Sequence, residues 1–231
     1  MPSLKLEFRS DGRSELAATV TNQGSQSVSI EFPIGLVAVG VSGSRLVTIR
    51  PASTTIETAQ TAEIIIPAVP LSLKNGAMLE SFRITRERVD SLQPLFDWSA
   101  KENDLPRKTA QLVSLLLLEN ATLPQLQEFL ARERRSEPSP TPADVAGIVD
   151  AISIVRQIAP DRELVIADDP QFRLRALRNP WSRPKAMQLF GMNPPEGVPI
   201  PDLKQLLHTK PGDNCPVCRL RSQGGDPSNG L

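Results

Sequence analysis

The chain contains no tyrosine, two tryptophans, one histidine and two cysteines among 231 residues. Each shortage closes off a chemistry. Aromatics make up 4% of the sequence, too few for the repeated stacking faces on which single-stranded nucleic acid is held. Two cysteines cannot make a disulfide framework. With a single histidine, any Ser–His or Cys–His mechanism would have to use His208 as its base, and Cys215 is the one nucleophile near it in sequence. Net charge is also missing, with 26 basic residues against 26 acidic ones. No overall field draws the molecule to nucleic acid or to an anionic membrane, so such binding would need a local patch. The most apolar run, Leu112 to Leu118, falls far short of the roughly 20 residues that span a bilayer. Met1 to Lys5 lacks a basic region followed by an apolar run, so no signal peptide is expected and a soluble, cytoplasmic protein is. A phosphate-binding loop ending in Lys-Ser/Thr and a G-x-G-x-x-G turn are both absent. Gly40-Val41-Ser42-Gly43 misses the G-x-S-x-G elbow by one residue and reads as a turn between strands.

What is present is a change of period along the chain. Leu4, Leu6 and Phe8 alternate with Lys5, Glu7 and Arg9, as in a half-buried strand. Asp11-Gly12 marks a tight turn. Leu16, Ala18 and Val20 continue the alternation, and Val28, Ile30 and Phe32 repeat it after Gln23-Gly24-Ser25-Gln26. Leu46, Val47 and Ile49, then Thr54 to Ile56, then Glu63 to Ile66 supply further short strands before Pro67 and Pro70. Short strands separated by regular turn signals suggest a small antiparallel sandwich.

The piece LAATVTNQGSQSVSIEFP carries a resemblance. A strand closes on Val20-Thr21-Asn22, a turn contains Gly24, and an alternating strand runs from Val28 to Pro33. This resembles the immunoglobulin-like modules of bacterial accessory proteins. The resemblance covers about a third of the chain, lacks the Cys…Trp…Cys pattern of antibody domains, and implies a sandwich with no catalytic residues.

From about residue 84 the period becomes helical. Val89, Leu92 and Phe96 share a face with Leu95 beside them. Asp104 is placed to cap a helix with Pro106 in its first turn, running through Leu112, Leu115, Leu116 and Glu119. Thr122-Leu123-Pro124-Gln125 is a capping-box pattern, Thr141 opens a helix with Val145, Ile148, Val149, Ile152 and Val155 on one face, and Asp169 caps another before Pro170. Pro184 and Pro201 open two short helices. The expected fold is therefore α+β: an immunoglobulin-like antiparallel β-sandwich over residues 1–74, an α-helical domain over 84–208, and a flexible tail over 209–231 bearing Cys-x-x-Cys.

Two clusters carry candidate chemistry. Cys215 and Cys218, with Pro216 stiffening the turn between them, can grip zinc, and His208 supplies a third donor. Asp213 is a poor fourth, so a complete site needs zinc shared with another chain. A thioredoxin-like role would need the pair at the start of a helix after a strand, which the flanking residues do not provide. The second cluster is FRLRALRNPWSRPK, in which Arg173, Arg175, Arg178, Arg183 and Lys185 occur with no acid among them and with Trp181 interleaved. Arginines hold carboxylates or phosphates in bidentate geometry, and Trp181 offers a stacking face. The competing reading has Arg175 and Arg178 on a solvated helix face, Leu174, Leu177 and Trp181 packed inward, and Asp161, Glu163, Asp168 and Asp169 neutralising the charge. Asp168-Asp169 as a paired carboxylate is better read as a helix cap. The layout points to a non-enzymatic adaptor or accessory subunit that docks onto another protein in a larger assembly. A metal- or redox-dependent regulator acting through the cysteines, and nucleic-acid binding through residues 172–185, are the alternatives.

Overall fold

The computed structural model describes residues 3–12, 15–73, 79–102, 106–134 and 140–192. The fold is mixed α+β, with the strands first and the helices after them. Among the described residues the strands are β1 (Leu4–Ser10), β2 (Glu15–Asn22), β3 (Val28–Phe32), β4 (Val37–Gly40), β5 (Arg45–Thr48), β6 (Ala52–Ile56), β7 (Thr61–Pro70) and β8 (Glu80–Thr85). Six of them close into an antiparallel barrel in the order β1-β2-β7-β5-β4-β8, and β3 and β6 form a separate two-stranded ribbon.

The expected antiparallel β region is present, with its main sheet closed as a barrel. Alternation shows which residues face inward but not which sheet edges meet. The deciding strand is β8, which lies beyond the region read as β from sequence. It pairs with β1 through Phe8↔Phe82 and with β4 through Val37↔Thr85, so both edges of the sheet are used up and closure removes them. The ribbon packs over the barrel interior: Phe32 and Ile56 join Leu16, Ala18, Val20, Leu46, Ile66, Ala68 and Phe82 in one apolar cluster. Phe8 and Phe32 meet edge to face with centroids 6.0 Å apart, a favoured aromatic geometry. Asn22 pins the ribbon. Its fully buried amide donates to the carbonyls of Gln26 at 2.8 Å and Ile56 at 3.1 Å and accepts from the Gly24 N–H at 2.9 Å.

Strands β4 and β5 and the second half of β7 are buried on both faces. Ala38, Leu46 and Ala68 point into the barrel cluster, whereas their neighbours Val37, Val47 and Val69 join a second core built with the helices. The helices are α1 (Gln93–Ser99), which follows a 3-10 turn at Asp90–Leu92, then α2 (Arg107–Glu119), α3 (Leu123–Arg134), α4 (Pro142–Ile158), α5 (Val165–Asp168), α6 (Pro170–Arg178) and α7 (Arg183–Leu189). α2 is buried from Thr109 through Leu117, as a helix must be when it packs on a sheet on one side and on other helices on the other. It packs against β7 and against α4. The exit of β7 is tied to the helices by polar contacts. Glu119 accepts from the Leu73 N–H at 3.0 Å, and Arg132 donates to the Leu73 carbonyl at 2.7 Å.

Helix starts follow their caps. Thr141 and Asp144 form a reciprocal capping box, Asp169 accepts from the Gln171 and Phe172 N–H groups, and Gln125 accepts from the Thr122 N–H at 2.8 Å. Pro106 sits at the N-cap of α2 and not inside its first turn; Asp104, expected to cap it, lies outside the described residues, as do Pro201 and the expected tail over 209–231. Leu6 is 44% exposed, although its register with Val20 places it on the inward face. No helix among the described residues is long and apolar enough to cross a membrane.

The two cores predict contrasting responses to truncation. Leu116→Ala, in the shared helical core, is expected to lower unfolding free energy by about 2–5 kcal/mol in denaturant titration. Leu6→Ala, half-exposed on the barrel, is expected to cost less than about 1 kcal/mol. Equal losses would contradict this division of burial.

Candidate functional site

The basic segment falls on α6, on α7 and on the turn between them, and the structure sorts its cations into two classes. Arg173 is internal: its Nε donates to the Ala167 carbonyl at 2.7 Å, its guanidinium pairs with Asp168 at 2.7 Å, and it lies over the Phe190 ring at 5.2 Å. Lys185 pairs with Asp150 of α4. The side chains of Arg175, Arg178 and Arg183 are exposed and have no hydrogen-bond or ion-pair partner among the described residues. Neutralisation thus reaches two of the five cations, and one of those partners, Asp150, is not among the acids just upstream of the segment.

Helix geometry explains the sorting. Phe172 and Ala176 are fully buried, and this fixes the rotation of α6. Gln171, Leu174, Arg175 and Arg178 then fall on the outer face at the spacing i, i+3, i+4 and i+7. Leu174 is 49% exposed and Trp181 is 50% exposed, so neither is packed inward as the competing reading expected.

Beside this face lies a groove of ≈ 440 Å³, lined by Pro140, Pro142, Val145, Arg175, Arg178, Asn179 and Pro180. It forms where the start of α4 meets the end of α6. Asn179 joins the two: its amide donates to the Pro142 carbonyl at 2.7 Å and accepts from the Trp181 N–H at 3.1 Å. The Ser182 hydroxyl then closes the turn on the Ala176 carbonyl at 2.9 Å. The start of α4 is held from the other side by Asp144, which receives the Lys108 ammonium at 2.7 Å and the Thr141 N–H at 2.8 Å. Burial alone would raise the Asp144 carboxyl, but these donors outweigh it and hold it below the ordinary aspartate range.

The other concavities are less free. In a cavity of ≈ 580 Å³ beside α5, Arg156 and Arg162 are already committed to the carbonyls of Leu189 and Leu117 at 2.7 and 3.0 Å. In one of ≈ 350 Å³ beneath α1, Arg88 shares the walls with Asp90 and Asp97.

The Gly40–Ser44 turn has a structural occupation. The Glu80 carboxylate accepts from the Ser42 N–H at 2.6 Å and the Ser42 hydroxyl at 2.7 Å. Desolvation pushes the Glu80 carboxyl upward, yet the donors of Ser42, Ser44 and Val41 prevail and its pKa is lowered. A Cβ on Gly40 would meet this carboxylate, which would have to shift to make room for it. Asp169 is a cap, as expected, and Asp168 serves Arg173, so the two do not act as a paired acid. Cys215, Cys218 and His208 lie outside the described residues. Among the described residues no three His, Cys, Asp or Glu side chains are grouped to hold a metal. The groove walls at Pro140, Pro142 and Val145 escaped the sequence reading, although Asn179-Pro180 is a turn signal that marks the end of α6.

Two outcomes follow. Gly40→Ala and Glu80→Gln should each lose about 1 kcal/mol, and the double variant should lose no more than the larger single loss, because both remove the same hydrogen bonds; additive losses in denaturant titration would contradict the carboxylate nest. For Asp144, the depressed folded-state pKa means that its stabilising contribution is present above the unfolded aspartate value of about 3.9 and is lost as pH falls through the folded value. Asp144→Asn should therefore be less stable than wild type at neutral pH by about 1–3 kcal/mol, with the gap narrowing on acidification; a gap that widens toward low pH would count against the pairing. Comparison with protein-family models, with curated proteins and with solved structures gives no match.

Proposed function

We propose that the protein is a non-enzymatic adaptor or accessory subunit, and that it docks another protein at the groove between α4 and α6. The observation that carries this reading is the pair Arg175 and Arg178, exposed and unpaired among the described residues, on the rim of an apolar groove next to a half-exposed tryptophan. Arginine and tryptophan are the side chains on which interface energy concentrates, and a concave apolar surface is where such anchors work. The near-elbow at Gly40 supports the non-enzymatic reading, since Ser42 is spent on Glu80. The immunoglobulin-like reading of the β region belongs to the same proposal: residues 20–33 pass from barrel strand β2 into the ribbon strand β3 stacked over it, the kind of crossing between layers that a two-sheet module makes.

The test is affinity capture from native lysate at about 0.15 M salt, comparing wild type with Arg175→Glu/Arg178→Glu and with Arg83→Glu, an exposed arginine on β8. The same partner should be retained by wild type and by Arg83→Glu, and reduced about tenfold or more by the double charge reversal. Equal capture by all three proteins, or no partner for any, would overturn the reading. A low-salt gel shift with duplex and single-stranded DNA runs alongside; a shift abolished by the same double variant, without a protein partner, would move the assignment to nucleic acid.

A further inference from the structure

The walls and rim of the groove narrow the chemistry of what fills it. The walls ask for an apolar group. Pro140, Pro142, Val145 and Pro180 offer no side-chain donor or acceptor. The one polar residue of the floor, Asn179, has its amide nitrogen and its amide oxygen both engaged within the chain. A polar ligand group entering between these apolar walls would find few partners away from the rim arginines and would carry much of its desolvation cost uncompensated.

The rim asks for acid. Arg175 and Arg178 stand one helical turn apart, each with a planar fork of donors suited to carboxylates. Every acidic side chain on helices α4 to α7, with the Asp169 cap of α6, is already committed. Asp144 receives Lys108, Asp150 pairs with Lys185, Asp168 pairs with Arg173, and Asp169 caps α6. The complementary charge has to come from outside these helices.

Resting on the docking role proposed above, we infer that the occupant is an acidic segment of a partner protein, with apolar side chains seated between Pro142, Val145 and Pro180 and flanking carboxylates on Arg175 and Arg178. Trp181 extends the apolar surface at the edge. The chain's own residues 193–231 match this less well: Glu196, Asp202, Asp213 and Asp226 are balanced by Lys204, Lys210, Arg219 and Arg221. Nucleic acid would satisfy the guanidiniums, but a base pushed between prolines would leave its polar edge without partners.

The test is fluorescence anisotropy on the full chain with labelled synthetic peptides of about fifteen residues, long enough for several turns of helix. One repeats Glu-Glu-Leu-Leu, one Lys-Lys-Leu-Leu and one Glu-Glu-Ser-Ser; a labelled single-stranded oligonucleotide is the fourth probe. The Glu/Leu peptide should bind, should weaken as salt rises from about 50 to about 300 mM, and should lose about tenfold in affinity with Arg175→Ala/Arg178→Ala. The Lys/Leu and Glu/Ser peptides should bind at least about tenfold more weakly than the Glu/Leu peptide. Equal binding of the Lys/Leu peptide, stronger binding of the oligonucleotide, or displacement of the Glu/Leu peptide by an equimolar peptide of residues 193–231 would overturn the inference. If the Glu/Leu peptide fails to bind while a captured partner is still lost with Arg175→Glu/Arg178→Glu, the acidic assignment falls and the docking role stands.

Discussion

The structure depends on one wall shared by two cores. Along β4, β5 and the second half of β7, neighbouring residues are buried on opposite faces: Ala38, Leu46 and Ala68 toward the barrel, Val37, Val47 and Val69 toward the helices. A sheet covered on both sides cannot expose either face without losing apolar burial, worth about 25 cal/mol per Å². The helical layer is therefore part of what keeps the barrel wall dry, and the barrel is the floor on which the helices are laid.

From that wall outward, each layer positions the next. α2 lies on β7, and α4 lies on α2, fixed by Lys108 reaching Asp144. The start of α4 then meets the end of α6 through Asn179. The groove is thus carried on packed elements and not on a loose loop, a condition for presenting two guanidiniums in a constant geometry. The same packing decides which cations are available. Arg173 and Lys185 are consumed in holding α6 and α7 to their neighbours, and Arg175 and Arg178 are left on the outer face.

Local signals were readable from the sequence, and long-range pairings were not. The alternation of Leu16, Ala18 and Val20 gave β2, and Thr141 and Asp169 marked helix starts, because a strand face or a cap depends on residues within one turn of chain. Closure of the barrel depends on β8 meeting β1 some seventy residues earlier, and nothing in the local pattern of Glu80 to Thr85 specifies that partner. β4 and β5 lack clean alternation because both of their faces are covered. The basic segment was visible as composition. Its division into engaged and free arginines was not, since Asp150 reaches Lys185 from 35 residues away and the helix rotation is set by Phe172 and Ala176. The Gly40–Ser44 stretch was legible as a turn between strands, but the carboxylate that it wraps was not, since Glu80 lies 38 residues away from Ser42.

Native-state hydrogen exchange as a function of denaturant tests the shared wall most directly, because it measures the opening free energy of each element separately. The account predicts that the slowest amides of β5, β7, α2 and α4 exchange through one common opening, with the same free energy and the same denaturant dependence. Helical amides of α2 and α4 exchanging through a separate, lower-energy opening, while β5 and β7 stay protected, would contradict it.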